Sequence, residues 1–141
     1  MNRFFDTSAL IPAFLEDHEH HEASFKALRK CDKASASCAA HSLAEMYATL
    51  TRLPGKHRMS GDQAMLFLEE VRERLTPVSL DSEECFAALR AAAARGVVGG
   101  TVYDLLVAHC ALKARASTIY TWNLRHFQQL GPEIARLLKT P

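Results

Sequence analysis

The amino-acid sequence predicts an α/β protein with a central, mostly parallel sheet of four to five strands and helices on both faces. Short apolar segments that suit strands alternate with longer amphipathic segments that suit helices, and this alternation is typical of a parallel sheet. The chain has 141 residues, of which 48% are hydrophobic, which is enough for one domain with its own core. Because no repeat, low-complexity tract or linker interrupts it, we expect a single domain over residues 1–141.

The first half of the chain contains two predicted strands and four predicted helices. Residues 2–6 and 34–38 are short, apolar and strand-like. Ser8 is a candidate N-cap for a helix over 9–16, in which Pro12 is tolerated because it falls near the first turn. Apolar residues at helical spacing predict three further helices, over 19–30, 41–53 and 60–74, the last capped by Ser60 or Asp62.

The second half contains two more predicted strands and two more predicted helices. The strands are expected at 76–80 and at 117–122, of which the second is rich in β-branched and aromatic residues. A helix over 82–94 is expected to end at Gly96. The helix over 101–116 is the most apolar of the chain. The tail, 134–140, suits a last helix, a short edge strand, or one after the other.

Charge and cysteine content narrow the class of protein. The net charge of +1 excludes binding to nucleic acid through overall positive charge, so any such contact must come from a local basic patch. The four cysteines form no C-x-x-C pair and fit no zinc module or secreted disulfide pattern, which predicts reduced thiols. No leader-like segment opens the chain, and no apolar stretch reaches the roughly 18 residues of a membrane span. We therefore expect a cytoplasmic protein without a membrane partner.

Three carboxylates lie where a solvated acid is not the obvious choice. Asp6 ends an apolar strand, Asp104 lies in the first turn of the most apolar helix, and Glu45 lies on the helix over 41–53. Each has a structural alternative. Asp6 suits a turn or cap, Glu45 a solvated helix face, and Asp104 a short capping box with Thr101.

A shared site is expected at one edge of the sheet, because ligands bind outside the carboxyl ends of parallel strands. Asp6 follows the first predicted strand and Asn123 follows the fourth, so both belong to that edge. Two carboxylates about 4 Å apart repel by roughly 4 kcal/mol at an effective dielectric constant near 20. A Mg²⁺ or Mn²⁺ ion bound by Asp6, Glu45 and Asp104 would offset such repulsion, and this arrangement suits phosphate chemistry.

Four short motifs follow one another along the chain. They are Phe5-Asp6-Thr7-Ser8-Ala9-Leu10, Ser42-Leu43-Ala44-Glu45, Tyr103-Asp104-Leu105-Leu106-Val107-Ala108 and Thr121-Trp122-Asn123-Leu124-Arg125-His126-Phe127. Together they resemble the motifs of the PIN-domain ribonucleases, in the order and on the elements of that family. The resemblance spans residues 3–127, and the chain is most similar to the VapC-type toxins. It implies a PIN-like three-layer α/β/α domain that hydrolyses RNA phosphodiester bonds with Mg²⁺ or Mn²⁺.

The resemblance also implies roles and partners. The implied catalytic residues are Asp6, Glu45, Asp104 and Asn123, of which the three acids are the metal ligands. Thr7 and Thr121 would assist by positioning water or phosphate. Asn123 and His126 stand where the family often carries acids, which leaves open whether one or two metal ions bind. VapC toxins form dimers and are held inactive by a VapB antitoxin, so a homodimer and a VapB-like antitoxin are implied partners.

Several side chains outside the acidic set are candidates for contact with RNA. The basic candidates are Arg52, Lys56, Arg58 and Arg125, and a solvated loop is the alternative for the first three. Trp122 is a candidate for stacking on a base, while strand alternation favours core packing on the side of Tyr120. His18, His20 and His21 are expected on a solvated helix face.

Apolar residues of the first four predicted helices exceed what one small core can cover. A self-complementary dimer face or a groove for a partner helix would use the surplus. Examples are Leu10, Ile11, Phe14, Leu15, Phe25, Leu66, Phe67 and Leu68.

Two rival functions stay open beside the ribonuclease. One is a different metal-dependent phosphoesterase, acting on DNA or on a small phosphoester. The other is a catalytically weak PIN-like module that binds RNA or another protein, because its set of acids is reduced at Asn123 and His126.

Overall fold

A five-stranded, all-parallel sheet forms the centre of the protein, in a computed structural model that describes residues 2–141. Met1, which the predicted domain 1–141 includes, lies outside the described residues. The strands are β1 (Arg3–Phe5), β2 (Ala36–Ala39), β3 (Thr76–Val78), β4 (Thr118–Tyr120) and β5 (Leu138–Lys139). Their order across the sheet is β3-β2-β1-β4-β5. The first four match predicted strands, and the fifth lies in the tail.

Helices cover both faces of the sheet. They are α1 (Thr7–Leu10), α2 (His21–Arg29), α3 (Ala40–Leu50), α4 (Gly61–Arg74), α5 (Ser82–Arg95), α6 (Thr101–Lys113), α7 (Leu124–Gln128) and α8 (Pro132–Ala135). Two 3₁₀ helices, Ile11–Phe14 and Gly55–His57, follow α1 and α3. The three-layer α/β/α architecture confirms the predicted fold class. Within residues 2–141, no helix combines the length and the apolar character that crossing a membrane requires.

Strand alternation divides the core into two halves, because successive side chains of a strand point to opposite faces. Phe4 and Ile119 pack with α5, α6, α7 and α8 on one face. Phe5 and Cys38 pack with α1, α2, α3 and α4 on the other. All four cysteines are free thiols, as predicted, and three of them are buried: Cys31, Cys38 and Cys110.

Local signals set the ends of two long helices. Ser60 caps α4, because its hydroxyl accepts from the Gln63 amide while the Gln63 side chain accepts from the Ser60 amide. This decides between Ser60 and Asp62. Gly96 ends α5 with φ 72°, a left-handed conformation that favours glycine.

Three local predictions were wrong. Ser8 is not an N-cap, since Asp6 holds that position and Ser8 lies inside α1. Pro12 lacks an amide hydrogen, and the chain continues past Leu10 as a 3₁₀ helix and not as the expected α-helix over 9–16. Thr101 is the first residue of α6 and the side-chain-less Gly100 precedes it, so Thr101 and Asp104 form no capping box.

The elements that follow β4 add detail that the sequence did not predict. α7 forms directly after the fourth strand, where no helix was predicted. The tail contains both alternatives in succession, since α8 precedes β5. β5 pairs in parallel with β4 and forms the edge of the sheet on that side.

The prediction that apolar residues of the first four predicted helices exceed what the core can cover is partly wrong. Leu10 and Leu68 belong to the core because α1 and α4 turn these residues toward the sheet. Phe25 and Leu66 are exposed, and the Leu66 side chain most of all, at 72%. Together with Tyr47 and Met65 they leave apolar side chains on the outer surfaces of α2, α3 and α4.

Candidate active site

Asp6 lies one residue past β1, at the edge where the carboxyl ends of the strands meet. Its main-chain carbonyl accepts from the amides of Ala9 and Leu10 and so begins α1, while its side chain takes no part in capping. The carboxylate is 5% exposed. Its Oδ2 atom accepts from Ser8 Oγ at 2.8 Å and from Thr121 Oγ1 at 2.9 Å. Two hydroxyls therefore hold the carboxylate in one orientation.

Glu45 lies in the second turn of α3, which begins directly after β2. Its side chain is 49% exposed, and Oε1 lies 3.8 Å from Nε2 of His41, one turn earlier. Partial burial raises the pKa of Glu45 above its ordinary value. His41 and the Thr7 hydroxyl lower this pKa, whereas the charges of Asp6 and Asp104 raise it. Glu45 therefore lies within electrostatic reach of both other acids.

Asp104 lies in the first turn of α6. Its side chain is 29% exposed, and Oδ2 lies 3.8 Å from Nδ1 of His126 on α7. Burial raises the pKa of Asp104, the charge of Asp6 raises it further, and His126 lowers it. The three acids thus come from the end of β1, from α3 and from α6, and Asp6 acts on the pKa of both others.

The donor set has the chemistry of a hard-cation site, although it is not a finished ligand shell. Within residues 2–141, no three His, Cys, Asp or Glu side chains are grouped so that they could hold a metal ion as they stand. The charge of Asp6 nevertheless raises the pKa of both Glu45 and Asp104, and carboxylate oxygens are the ligands that Mg²⁺ prefers. Glu45 and Asp104 lie on helices, and their carboxylates can reorient about the side-chain χ angles to meet a cation beside Asp6.

An orphaned hydroxyl supports the same interpretation. Thr7 is buried at 7% exposure, and its Oγ1 atom has no hydrogen-bond partner within residues 2–141. It nevertheless lies near enough to Glu45 to lower the pKa of that side chain, without the geometry of a full hydrogen bond. A buried hydroxyl without a partner is costly, so Thr7 is a polar group for which a bound ligand or water would supply a partner.

The residues after β4 complete the edge of the site. Thr121 is fully buried, donates to Asp6, and accepts from the Asn123 main-chain amide at 3.0 Å. Asn123 is exposed and precedes α7, and its side chain does not cap that helix. Of the predicted members, Thr121 therefore contacts Asp6, Thr7 lies near Glu45, and Asn123 is joined to Thr121 through its main-chain amide.

The predicted RNA contacts divide into two groups. Arg125 is exposed on α7, two residues after Asn123 in the chain. Arg52, Lys56 and Arg58 are also exposed but follow the end of α3. At 1.5 Å per residue, Arg52 is roughly 10 Å farther along the helix axis than Glu45. Only a substrate longer than one nucleotide would reach both groups.

Sequence reasoning missed the role of Ser8. Its hydroxyl donates to Asp6 and accepts from the Trp122 amide at 2.9 Å. It therefore connects the first of the four motifs, which contains Asp6, with the last, which contains Trp122. The only sequence signal is a hydroxyl two residues after an acid. The pairing of His41 with Glu45 could have been read from their spacing of four residues, whereas nothing local indicates that His126 approaches Asp104.

The three neighbouring histidines do not lie on a solvated helix face, which corrects that prediction. His18 and His20 lie in the turn that leads into α2, and His21 is the first residue of that helix. The His20 ring stacks on Trp122, with ring centroids 3.7 Å apart. His21 Nδ1 donates to the Pro12 carbonyl at 2.8 Å. Trp122 itself packs on the same half of the core as Tyr120, as strand alternation predicts.

Comparison with known proteins agrees with this geometry. A sequence model of the PIN domain family matches residues 3–131. Ribonuclease VapC40 of Mycobacterium tuberculosis is 33% identical to this chain over 120 residues, which cover 85% of each protein. Ribonuclease VapC27 of the same species is 36% identical over 113 residues, which cover 79% of this chain and 77% of that protein.

A solved structure has the same fold. The crystal structure of VapBC2 from Rickettsia felis, bound to a DNA fragment from its promoter, superimposes with a TM-score of 0.67. The matched chains are 19% identical, and the match covers 99% of this chain and 98% of the other. At this identity the likeness concerns the arrangement of helices and strands.

Proposed function

This chain belongs to the PIN domain family and to its VapC type, and from that premise we propose that it is a metal-dependent endoribonuclease. It would hydrolyse RNA phosphodiester bonds as the toxin of a VapBC-type toxin–antitoxin pair. The observation that carries the proposal is the placement of Asp6 directly after β1, of Glu45 on α3 and of Asp104 in the first turn of α6, with the charge of Asp6 raising the pKa of both other acids. Two relatives with ribonuclease in their names support the choice of RNA as substrate.

Asp6, Glu45 and Asp104 would hold Mg²⁺ or Mn²⁺. Such an ion, when bound, supplies a Lewis acid that activates water and stabilises negative charge on the phosphate. The protein's own contribution is to present three ionised carboxylates together. Ser8 and Thr121 orient Asp6 through its Oδ2 atom, which leaves the other carboxylate oxygen for a ligand.

The remaining residues of the site would position the substrate. The Thr7 hydroxyl and the Asn123 amide offer polar groups for a water molecule or a phosphate oxygen. Arg125 offers a positive charge to the RNA backbone beside the site, and Arg52, Lys56 and Arg58 would contact it farther away. Because no nucleophile–base pair of side chains stands among these residues, water is the attacking group and no covalent enzyme intermediate forms.

The proposal includes partners and a compartment. Exposed apolar side chains on α2, α3 and α4 would be covered by a second copy of the chain or by a VapB-like antitoxin. Free thiols agree with the reducing cytoplasm. A short neighbouring gene for a DNA-binding protein would support the toxin assignment, and co-expression with its product should suppress nuclease activity.

The direct test uses purified protein with single-stranded RNA and DNA of the same sequence, in Mg²⁺ or Mn²⁺ and in excess chelator. We expect cleavage of RNA, no cleavage of DNA, and loss of cleavage with the chelator. Asp6→Asn should abolish cleavage and keep the circular dichroism spectrum of the wild type. Asp62→Asn is the matched control, because Asp62 is an exposed aspartate on α4 outside the site. Full activity of Asp6→Asn would contradict the assignment.

One observation favours a second candidate, a PIN-like module that binds RNA without efficient cleavage. Asn123 and His126 offer an amide and an imidazole where more acids would bind a hard cation better. Calorimetric titration with Mn²⁺ separates the two functions. A nuclease should bind Mn²⁺ with a signal that Asp6→Asn removes, and the same ion should raise the melting temperature of the wild type alone. A binding module should show neither effect.

A further inference from the structure

Trp122, the chain's single tryptophan, is fixed at two points beside the candidate active site. Its main-chain amide donates to Ser8 Oγ at 2.9 Å, and that same hydroxyl donates to Asp6. Its indole Nε1 donates to the buried hydroxyl of Ser24 on α2, also at 2.9 Å. The indole ring therefore keeps one orientation relative to the carboxylates, and a group that contacts it is held at a defined place near them.

His20 extends this ring into a two-membered aromatic stack. The two ring planes lie 8° from parallel with centroids 3.7 Å apart. The His20 side chain is 34% exposed, so the stack presents aromatic surface to solvent. The His20 main-chain amide donates to Nδ1 of His18 at 3.0 Å, which braces the turn that carries the ring.

A cavity of about 350 Å³ lies against the stack. This volume is at the lower end of the range for small-ligand pockets, about 300–1,000 Å³. Its walls include Ser8, Ile11, Pro12, His18, Trp122 and Asn123. Aromatic and aliphatic surface therefore forms part of the lining, and one wall is Asn123 of the proposed catalytic set.

We propose that this cavity is a nucleobase subsite for a nucleotide next to the scissile phosphate of the RNA. The base would stack against the His20–Trp122 pair, and its edge would meet the Asn123 side-chain amide. The inference rests on the proposed ribonuclease function and specifies how its substrate is held.

The chemistry of the cavity matches a base better than a phosphate. Proteins that bind single-stranded RNA stack bases on aromatic side chains and read their edges with polar groups. The amide of Asn123 offers both donors and an acceptor, as a base edge requires. The lining of the cavity includes the negatively charged Glu19 and no lysine or arginine, so a phosphate would meet no permanent positive charge there.

The first experiment uses Trp122 fluorescence of the wild-type protein in excess chelator. A short single-stranded oligoribonucleotide is compared with an abasic strand of equal length, which has the same phosphate charges. Stacking of a base beside the indole should cause a saturable loss of emission with the first strand and none with the second. Because the chain has one tryptophan, the signal reports only the surroundings of Trp122, and the abasic strand controls for effects of phosphate binding nearby. Equal loss of emission with both strands overturns the subsite.

The second experiment measures cleavage by His20→Ala, His20→Phe and the control Phe86→Ala. Phe86 is an exposed aromatic residue on α5, outside the cavity. Stacking on one base corresponds to roughly five- to hundredfold in affinity, so His20→Ala should raise KM by about tenfold or more with kcat within about twofold. His20→Phe should restore KM, since it keeps a ring face. A KM for His20→Ala equal to that of Phe86→Ala overturns the subsite.

Abasic substitution in the substrate separates recognition from a structural role. The KM of the wild type should rise when one base next to the cleaved bond is removed, whereas His20→Ala should cleave the intact and the abasic substrate with the same KM. Discrimination that survives in His20→Ala overturns the subsite and leaves the ribonuclease proposal intact. If the wild type cleaves no RNA, the proposed function fails instead, and the fluorescence comparison still decides whether a base enters the cavity.

Discussion

Replacing Thr121 with valine removes one hydroxyl from the centre of the candidate active site and keeps the side-chain shape. Thr121 is fully buried. Its Oγ1 atom donates to Asp6 Oδ2 at 2.9 Å and accepts from the Asn123 amide at 3.0 Å. The variant therefore loses one hydrogen bond to a carboxylate and one between neutral groups. It also loses the 3.2 Å contact of Thr121 Oγ1 with Ser8 Oγ, which adds little because both hydroxyls already donate their single proton to Asp6. Ser8 is left as the remaining donor to Asp6.

The expected cost follows from these two bonds. A hydrogen bond to a charged group contributes about 1.5–3 kcal/mol and one between neutral groups about 0.5–1.5 kcal/mol. The bond from the Asn123 amide to Thr121 Oγ1 contributes only about 0.5 kcal/mol here, because Asn123 is exposed and water can accept from its amide in the variant. Thr121→Val should thus lower the free energy of unfolding by about 2–3 kcal/mol, or the melting temperature by roughly 6–12 °C for a chain of this length. Cleavage of RNA should fall about 10–100-fold, as when a group that orients a metal ligand is lost.

Urea unfolding with chelator present measures the stability term, and Thr118→Val is the matched control. Thr118 is the first residue of β4, three positions before Thr121, and its hydroxyl makes no side-chain hydrogen bond within residues 2–141, so we expect the free energy of unfolding to change by no more than about 0.5 kcal/mol. In the Asp6→Asn variant, adding Thr121→Val should lower the free energy of unfolding by about 1 kcal/mol less than the same substitution does in the wild type, because the hydrogen-bond acceptor is then neutral. Equal losses for Thr121→Val and Thr118→Val would refute the reasoning.

Two further predictions concern charge and backbone. Glu45→Gln and Asp104→Asn should abolish cleavage but stabilise the metal-free protein at neutral pH. Their raised pKa values in the folded state mean that the native protein holds protons the unfolded chain has released, so stability falls as pH rises above the ordinary values of 4.5 and 3.8. In urea unfolding, the free energy of unfolding of each variant should therefore exceed that of the wild type by an amount that grows from about pH 4 to about pH 7. A difference that does not change with pH would contradict this prediction. Gly96→Ala should lower the free energy of unfolding by about 1 kcal/mol, because φ is 72° there although a Cβ would meet nothing within 4 Å. A thermal melt equal to wild type would show that the left-handed turn costs alanine nothing.

The sequence predicted on which elements the candidate residues lie because those signals are local. Asp6 follows an apolar strand, and the carboxyl ends of parallel strands meet at one edge, so its location followed from a pattern of a few residues. The same holds for Asn123 after β4. Glu45 and Asp104 lie on amphipathic and apolar helices whose periodicity is visible in the sequence.

Other features depended on contacts between distant segments. The Thr121–Asp6 bond joins residues 115 positions apart, and it forms because the register pairs Phe5 with Tyr120. The stack of His20 on Trp122 likewise joins a turn near the start of the chain to the residue after β4. No short-range pattern encodes the rotation of either side chain.

By itself, the order of residues determined the alternation of strands and helices, the family motifs and the acids that end up at the sheet's edge. Those features depend on neighbours within about four positions, where hydrophobic periodicity and turn chemistry act. Only the tertiary structure decided that Ser8 binds Asp6 instead of capping a helix, that α7 brings His126 to Asp104, and that a cavity opens beside Trp122. These depend on how the packed layers align, because strand register and helix packing set side-chain distances across the whole chain.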